Sequence, residues 1–212
     1  EEYCLKHKIE YRKIPFIHSP RASYTSFLYS MLKILHSIIP ISKNDIDESI
    51  TQLDKLKEEI SSNNLKLNNP AIELAKWISQ IPIIYYPAGL ESAAVRFKNS
   101  LQENSKMHAI TEDVVEVCHN GIVSWEQPNN ILPILVQGKD DYVKTIERWK
   151  IVKEFFDSRS IKYKEIFTEE GTILTKLMKL IYLMDYTSIY RAVLSNIDPS
   201  PIESIEFVKS RI

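Results

Sequence analysis

Glycine is scarce in this chain, with 4 in 212 residues. That scarcity excludes a glycine-rich phosphate cradle of the P-loop or dinucleotide-binding kind, whose backbone must approach a phosphate closely. Cysteine is scarcer still. Cys4 and Cys118 lie far apart and make neither a CxxC site nor a disulfide framework, so a reducing, cytoplasmic setting is the simplest expectation. No uninterrupted apolar run approaches the eighteen or so residues that a membrane span needs. No secretory leader pattern is seen, and an opening on Glu1-Glu2 suggests a processed product or part of a longer protein. An excess of either charge is also missing. Lys and Arg total 27 against 28 Asp and Glu, so the chain has no basic footprint for nucleic acid. His, Cys, Asp and Glu nowhere recur at metal-ligand spacing, so no metal is expected.

What is present is ordinary for a globular protein, 44% hydrophobic and 26% charged. Residues 9–17 read as extended, with a break at Pro15. A helix is expected over 20–38, with Phe27, Leu28, Met31, Leu32, Leu35 and Ile38 at helical spacing, ended by Pro40. A second, capped by Asn44 or Asp45, should reach Ile60, with Ile46, Ile50, Leu53, Leu56 and Ile60 on one side. The polar stretch SSNNLKLNN (61–69) marks a plausible domain boundary, giving segments 1–66 and 67–212. Beyond it, strands are expected at 83–86, weakly at 114–117, at 131–136 and at 161–167. Pro133 argues for an edge or a strand end. Helices are expected from Pro70 to near Gln80, from Glu91 past Leu101, from Asp140-Asp141 to Phe156, over 172–189 and over 204–211. Strands separated by helices imply a parallel α/β sheet.

The segment RFKNSLQENSKMHAITEDVVEVCHNGIVSWE (96–126) holds the candidate chemistry. Glu103 sits at a helix end dense in hydrogen-bonding groups: Asn99, Gln102, Asn104 and Lys106. It reads either as a frayed, solvated end or as a general base tuned by its surroundings. His119, before the turn signal Asn120-Gly121, reads either as an exposed turn residue or as a proton carrier. Arg21, in HSPRAS, could clamp an anion at a helix start or lie on the surface. Lys209 sits on the closing helix, where lysines are usually solvated. Arg96 and Lys98 invite an anion-binding reading, against the commoner one of helix-surface charge.

Four stretches in order, IPFIHSPRAS, RFKNSLQENSKM, VCHNGIVSWE and IEFVKSRI, resemble the bifunctional phosphoglucose/phosphomannose isomerases, built from two sugar-isomerase (SIS) domains. The resemblance covers most of the chain. It implies the end of a first SIS domain and a helical linker over 1–66. A C-terminal SIS domain would follow over 67–212, a three-layer, flavodoxin-like or Rossmann-like α/β fold with a parallel sheet and helices on both faces. It implies interconversion of glucose 6-phosphate or mannose 6-phosphate with fructose 6-phosphate through a cis-enediol, in glycolysis and gluconeogenesis. The family's base then falls on Glu103, the ring-opening histidine on His119, the closing-helix lysine on Lys209 and the arginine near the transferring carbons on Arg21. A homodimer with the site at its interface is implied, one subunit lending His119 to the other, and a sugar phosphate is the expected ligand. Cys118 and Ile202 depart from the family's pattern. The first domain's phosphate-gripping loop has no counterpart here, so the isolated chain is expected to turn over little. The alternative is a non-catalytic sugar-phosphate-binding or assembly module.

Overall fold

The computed structural model describes residues 1–15, 17–66 and 68–212. Phe16, in the expected extended stretch, and Leu67, in the polar connection, lie outside the described residues. Two compact units result, Glu1–Asp47 and Glu48–Ile212.

The first unit has little interior. Helix α1 spans Glu2–Lys6, where no element was expected, and none of its residues is buried. The described part of 9–17 forms no strand. The helix expected over 20–38 is instead a 3-10 turn, Pro20–Ser23, followed by α2, Tyr24–Ile34. Ser23 is buried, and its hydroxyl donates to the Ile17 and Ser19 carbonyls. α2 ends well before Pro40 because the chain tightens there, with Ile38 N–H and Ile39 N–H both donating to the Leu35 carbonyl. Of its apolar stripe only Leu32 is buried; Phe27, Met31 and Ile38 are exposed.

Helix α3, Lys43–Ile60, starts from Ser42 rather than from Asn44 or Asp45. Ser42 N–H donates to Asp45 Oδ2 (2.8 Å) and Asp45 N–H to Ser42 Oγ (3.1 Å), the reciprocal arrangement of a capping box. α4 spans Pro70–Trp77. Its cap, Asn69, is fully buried: Oδ1 accepts from Ala71 and Ile72 N–H, and Nδ2 donates to the Ile60 and Asn64 carbonyls. One side chain thus ties the end of α3 to the start of α4 inside the second unit, in a stretch that reads as solvated.

The second unit continues with β1 (Ile81–Tyr86), α5 (Glu91–Ser105), β2 (Ile110–Asp113), α6 (Val114–Val117) and a 3-10 turn (Gly121–Glu126). Then come β3 (Ile131–Gln137), α7 (Val143–Ser158), β4 (Lys164–Phe167), α8 (Ile173–Leu194) and α9 (Glu203–Lys209). All pairings are parallel, in the order β2-β1-β3-β4. β1 and β3 are central, and their apolar runs IPIIYY and ILPILVQ suit strands buried on both faces. One face (Ile83, Tyr85, Leu135) packs with Val114, Val117, Trp125, Trp149, Val152 and Phe156. The alternate residues Ile84, Ile134 and Val136 are fully buried on the other face. The result is the expected three-layer α/β fold.

Three local expectations change. Residues 114–117 are helical, and the strand lies just before them. The Asp113 carboxylate accepts from Val115 N–H at 2.7 Å and so caps a helical turn there. Pro133 is inside a central strand, not at an edge; β4 pairs only from Ile134 onward, so Pro133 lies where β3 has a single partner. Asp140 and Asp141 precede α7 instead of occupying its first turn. Asp141 accepts from Gly138 N–H and Trp149 Nε1, and Asp140 pairs with Lys176.

Candidate functional site

Helix α5 leaves the C-terminal end of β1 and returns the chain to the start of β2. Fifteen residues at 1.5 Å each make it about 22 Å long, enough to run the full height of the sheet. Glu103, near its end, therefore lies beside the N-terminal end of β2. That is the opposite end from the strand C-termini where parallel-sheet sites usually gather. Ala93, Ala94, Phe97 and Leu101 are buried, while Asn99, Gln102 and Lys106 are exposed and Glu103 is half-buried.

A polar seam fixes the helix that carries Glu103. Arg96, Ser100 and Asn104 recur every four residues and so share one face. Arg96 donates to Asp185 Oδ2 through Nε (3.1 Å) and Nη2 (2.6 Å), and Ser100 Oγ donates to Asp185 Oδ1 at 2.7 Å. Asn104 Nδ2 donates to Ser188 Oγ (2.8 Å), and Ser105 Oγ to the Ser188 carbonyl (2.7 Å). Burial pushes the Asp185 carboxyl above its ordinary range, outweighing the downward pull of Arg96 and Ser100. Arg96 thus belongs to an internal ion pair, which answers the anion-binding reading of that residue. The i, i+4 spacing of polar residues among apolar ones is the sequence signal of this seam.

Flanking this seam on α5, Asn99, Gln102, Glu103 and Lys106 face the segment that enters α9. Together with Pro201, Ile202, Glu203, Ser204 and Ile205 they line a cleft of about 540 Å³. This is within the range of small-molecule sites. Lys209 is not part of the lining. It is exposed at the last position of α9, one turn beyond Ile205 and on the same side.

His119 is not in this cleft. It follows α6 in a tight turn, its N–H donating to the Glu116 carbonyl at 3.0 Å, and it is exposed. It lies past the C-terminal end of β2, whereas Glu103 lies by the N-terminal end, so one chain holds the two at opposite ends of that strand. Nearby, burial and the Glu116 charge raise the Glu112 carboxyl, whose oxygens lie against Gly121. Arg21 belongs to the first unit, half-buried in the turn Pro20–Ser23. Among the described residues no group of three or more His, Cys, Asp or Glu could hold a metal ion, and no helix is long and apolar enough to cross a membrane.

The chain is similar to known proteins over this same region. Among curated sequences it is 29% identical over 220 residues to the bifunctional phosphoglucose/phosphomannose isomerase of Caldicellulosiruptor bescii, covering all of this chain and 65% of that protein. It is 27% identical over 188 residues to the protein of the same name from Aquifex aeolicus, covering 87% of this chain and 58% of that one. The chain therefore spans about three fifths to two thirds of the length of these relatives. Among solved structures, a glucose-6-phosphate isomerase like protein from Thermus thermophilus superposes with a TM-score of 0.68 at 17% identity. The match covers 86% of this chain and 60% of that one. The sugar isomerase domain of the RpiR transcription factor from Sphaerobacter thermophilus gives 0.53 at 11% identity, covering 80% of this chain and 97% of that one. These two likenesses concern the fold alone. The family described as the bacterial phospho-glucose isomerase C-terminal SIS domain matches residues 67–212, and the chain belongs to it.

Proposed function

We propose that this chain serves the aldose–ketose isomerisation of hexose 6-phosphates, interconverting glucose 6-phosphate, and mannose 6-phosphate, with fructose 6-phosphate. The observation that carries the reading is the cleft in which Glu103 faces the start of α9, in a chain whose relatives bear the name phosphoglucose/phosphomannose isomerase. Glu103 is the base. With the sugar ring open, its carboxylate takes the proton from C2 while O1 gains one, giving the cis-enediol, and then returns a proton to C1 while O2 loses its own. The glutamate is regenerated and no redox partner is needed. Arg21 stabilises the charge developing on the enediol oxygens. His119 and Lys209 move protons on oxygen during ring opening.

Within one chain His119 and Glu103 lie at opposite ends of β2, which supports a site completed by the His119 of a second copy in a homodimer. Lys209 lies one turn beyond the cleft-lining Ile205, on the same side of α9. The reaction calls for neither a metal nor an organic cofactor, and a cytoplasmic location fits a phosphorylated sugar as substrate.

A steady-state assay of the full-length protein on both aldose phosphates, with Glu103→Gln beside the wild type, tests the role. The expected result is a loss of at least about a hundredfold in kcat with little change in KM, as for a group acting only in the transition state. Near-normal turnover by the variant removes Glu103 as the base, and tight sugar-phosphate binding without turnover by the wild type favours a binding module.

A further inference from the structure

Lys106 ends α5 in the left-handed conformation, with φ 55° and ψ 30°. Glycine or asparagine is the ordinary choice at such a position, because a Cβ is disfavoured there. The side chain supplies the reason for a lysine. Its Nζ donates to the Glu103 carbonyl at 2.5 Å, to the Pro201 carbonyl at 2.7 Å and, more loosely, to the Pro199 carbonyl at 3.4 Å. The first of these is among the carbonyls that a helix end leaves without an intrahelical partner. The other two belong to the stretch that leads into α9. Pro199 and Pro201 have no N–H to offer, and the Ser200 N–H donates to Asp198 Oδ1 at 2.8 Å, so the carbonyls of this stretch are the groups open to a donor. A lysine ammonium is a group of three donors and no acceptor, and here three carbonyls receive them.

We propose that Lys106 is a positioning residue: it fastens the 199–201 stretch, and through it α9, to the end of α5 beside Glu103. The proposal rests on the isomerase reading above, for which it supplies the element that fixes the cleft's two walls relative to one another. Because its donors are committed to the backbone, Lys106 acts on the geometry of the cleft and not on the substrate. Ile202, Ser204 and Ile205, just beyond that stretch, line the cleft.

The test compares Lys106→Gly, Lys106→Arg and Glu103→Gln with the wild type in the full-length protein, using fructose 6-phosphate as substrate. Lys106→Gly removes the ammonium while relaxing the left-handed backbone, so a loss cannot be assigned to strain. Its kcat should fall about 10- to 100-fold, the scale of a misplaced catalytic wall, with KM within about threefold. Amide hydrogen exchange over Glu203–Lys209 should quicken by about tenfold or more. Lys106→Arg should recover part of both, since a guanidinium donates to carbonyls from a different reach. Wild-type kcat in Lys106→Gly, or a fallen kcat with unchanged exchange in α9, overturns the proposal. A wild type that interconverts no sugar phosphate overturns the isomerase reading and the catalytic half of this one. The exchange rates then still decide whether Lys106 fastens α9.

Discussion

At the scale of single residues, side chains that read as surface prove to be internal fasteners. Arg96, paired with Asp185, is the clearest case. Asp185 accepts three hydrogen bonds from Arg96 and Ser100 across the α5–α8 contact, with the Arg96 and Asp185 side chains only 20% and 22% exposed. Removing one partner of such a pair leaves the other charge partly buried and unpaired, which costs about 3 kcal/mol. Asp185→Ala should therefore lower the urea midpoint by the equivalent of about that amount, and Arg96→Met/Asp185→Leu together by much less. Equal losses in the single and double variants would show that the pair contributes packing rather than charge. Because this seam sets the rotation of α5, the single variant should also disturb the cleft beside Glu103.

At the scale of elements, the hydrophobic pattern foretold the strands β1 and β3 and the helices α4, α5, α7 and α8, since each has an apolar run or stripe long enough to dominate its neighbours. It failed where one polar side chain decided the outcome. The Asp113 carboxylate turns 114–117 into a helix although Val114, Val115 and Val117 favour a strand. The helix ending at Ile34 shows the same limit, since backbone turns closed it before Pro40 had any effect. Glu103 and its polar neighbours stood out in the sequence as a cluster. Their partner across the cleft did not stand out by composition, because Ile202 and Ser204 lie about a hundred residues away beside two prolines; only the family resemblance drew attention to Ile202 and the closing helix. Among the strands, β4 carries a test. Burial alone would raise the Glu165 carboxyl, but bonds from Lys153 (2.9 Å) and Gln137 (2.7 Å) hold it below its ordinary range. A carboxyl lowered on folding contributes stability above its unfolded pKa, and that contribution is lost as pH falls through the folded value. The wild type should therefore lose urea stability below about pH 5. Glu165→Gln should flatten that acid limb while changing stability near pH 7 only modestly. An unchanged limb would contradict the assignment.

At the scale of the whole molecule, the two groups proposed to move protons lie far apart in one chain. Glu103 faces a cleft at the N-terminal end of β2, and His119 lies beyond the other end of that strand. If a homodimer completes the site, two variants inactive for different reasons should rescue each other. Glu103→Gln and His119→Ala, unfolded together and refolded at equal concentration, form half mixed dimers. Each mixed dimer holds one intact site, so activity should return to about a quarter of the wild-type value. No recovery above the separate variants would place His119 outside a shared site.

The most direct measurement of the central claim, a proton taken from carbon by Glu103, is isomerisation of glucose 6-phosphate in deuterium oxide followed by proton NMR. The wild type should replace hydrogen at C2 by deuterium as turnover proceeds, because the enediol and the glutamate exchange with solvent. Glu103→Gln should show neither turnover nor exchange. Interconversion with complete retention of the original hydrogen, or exchange undiminished in Glu103→Gln, would contradict the account.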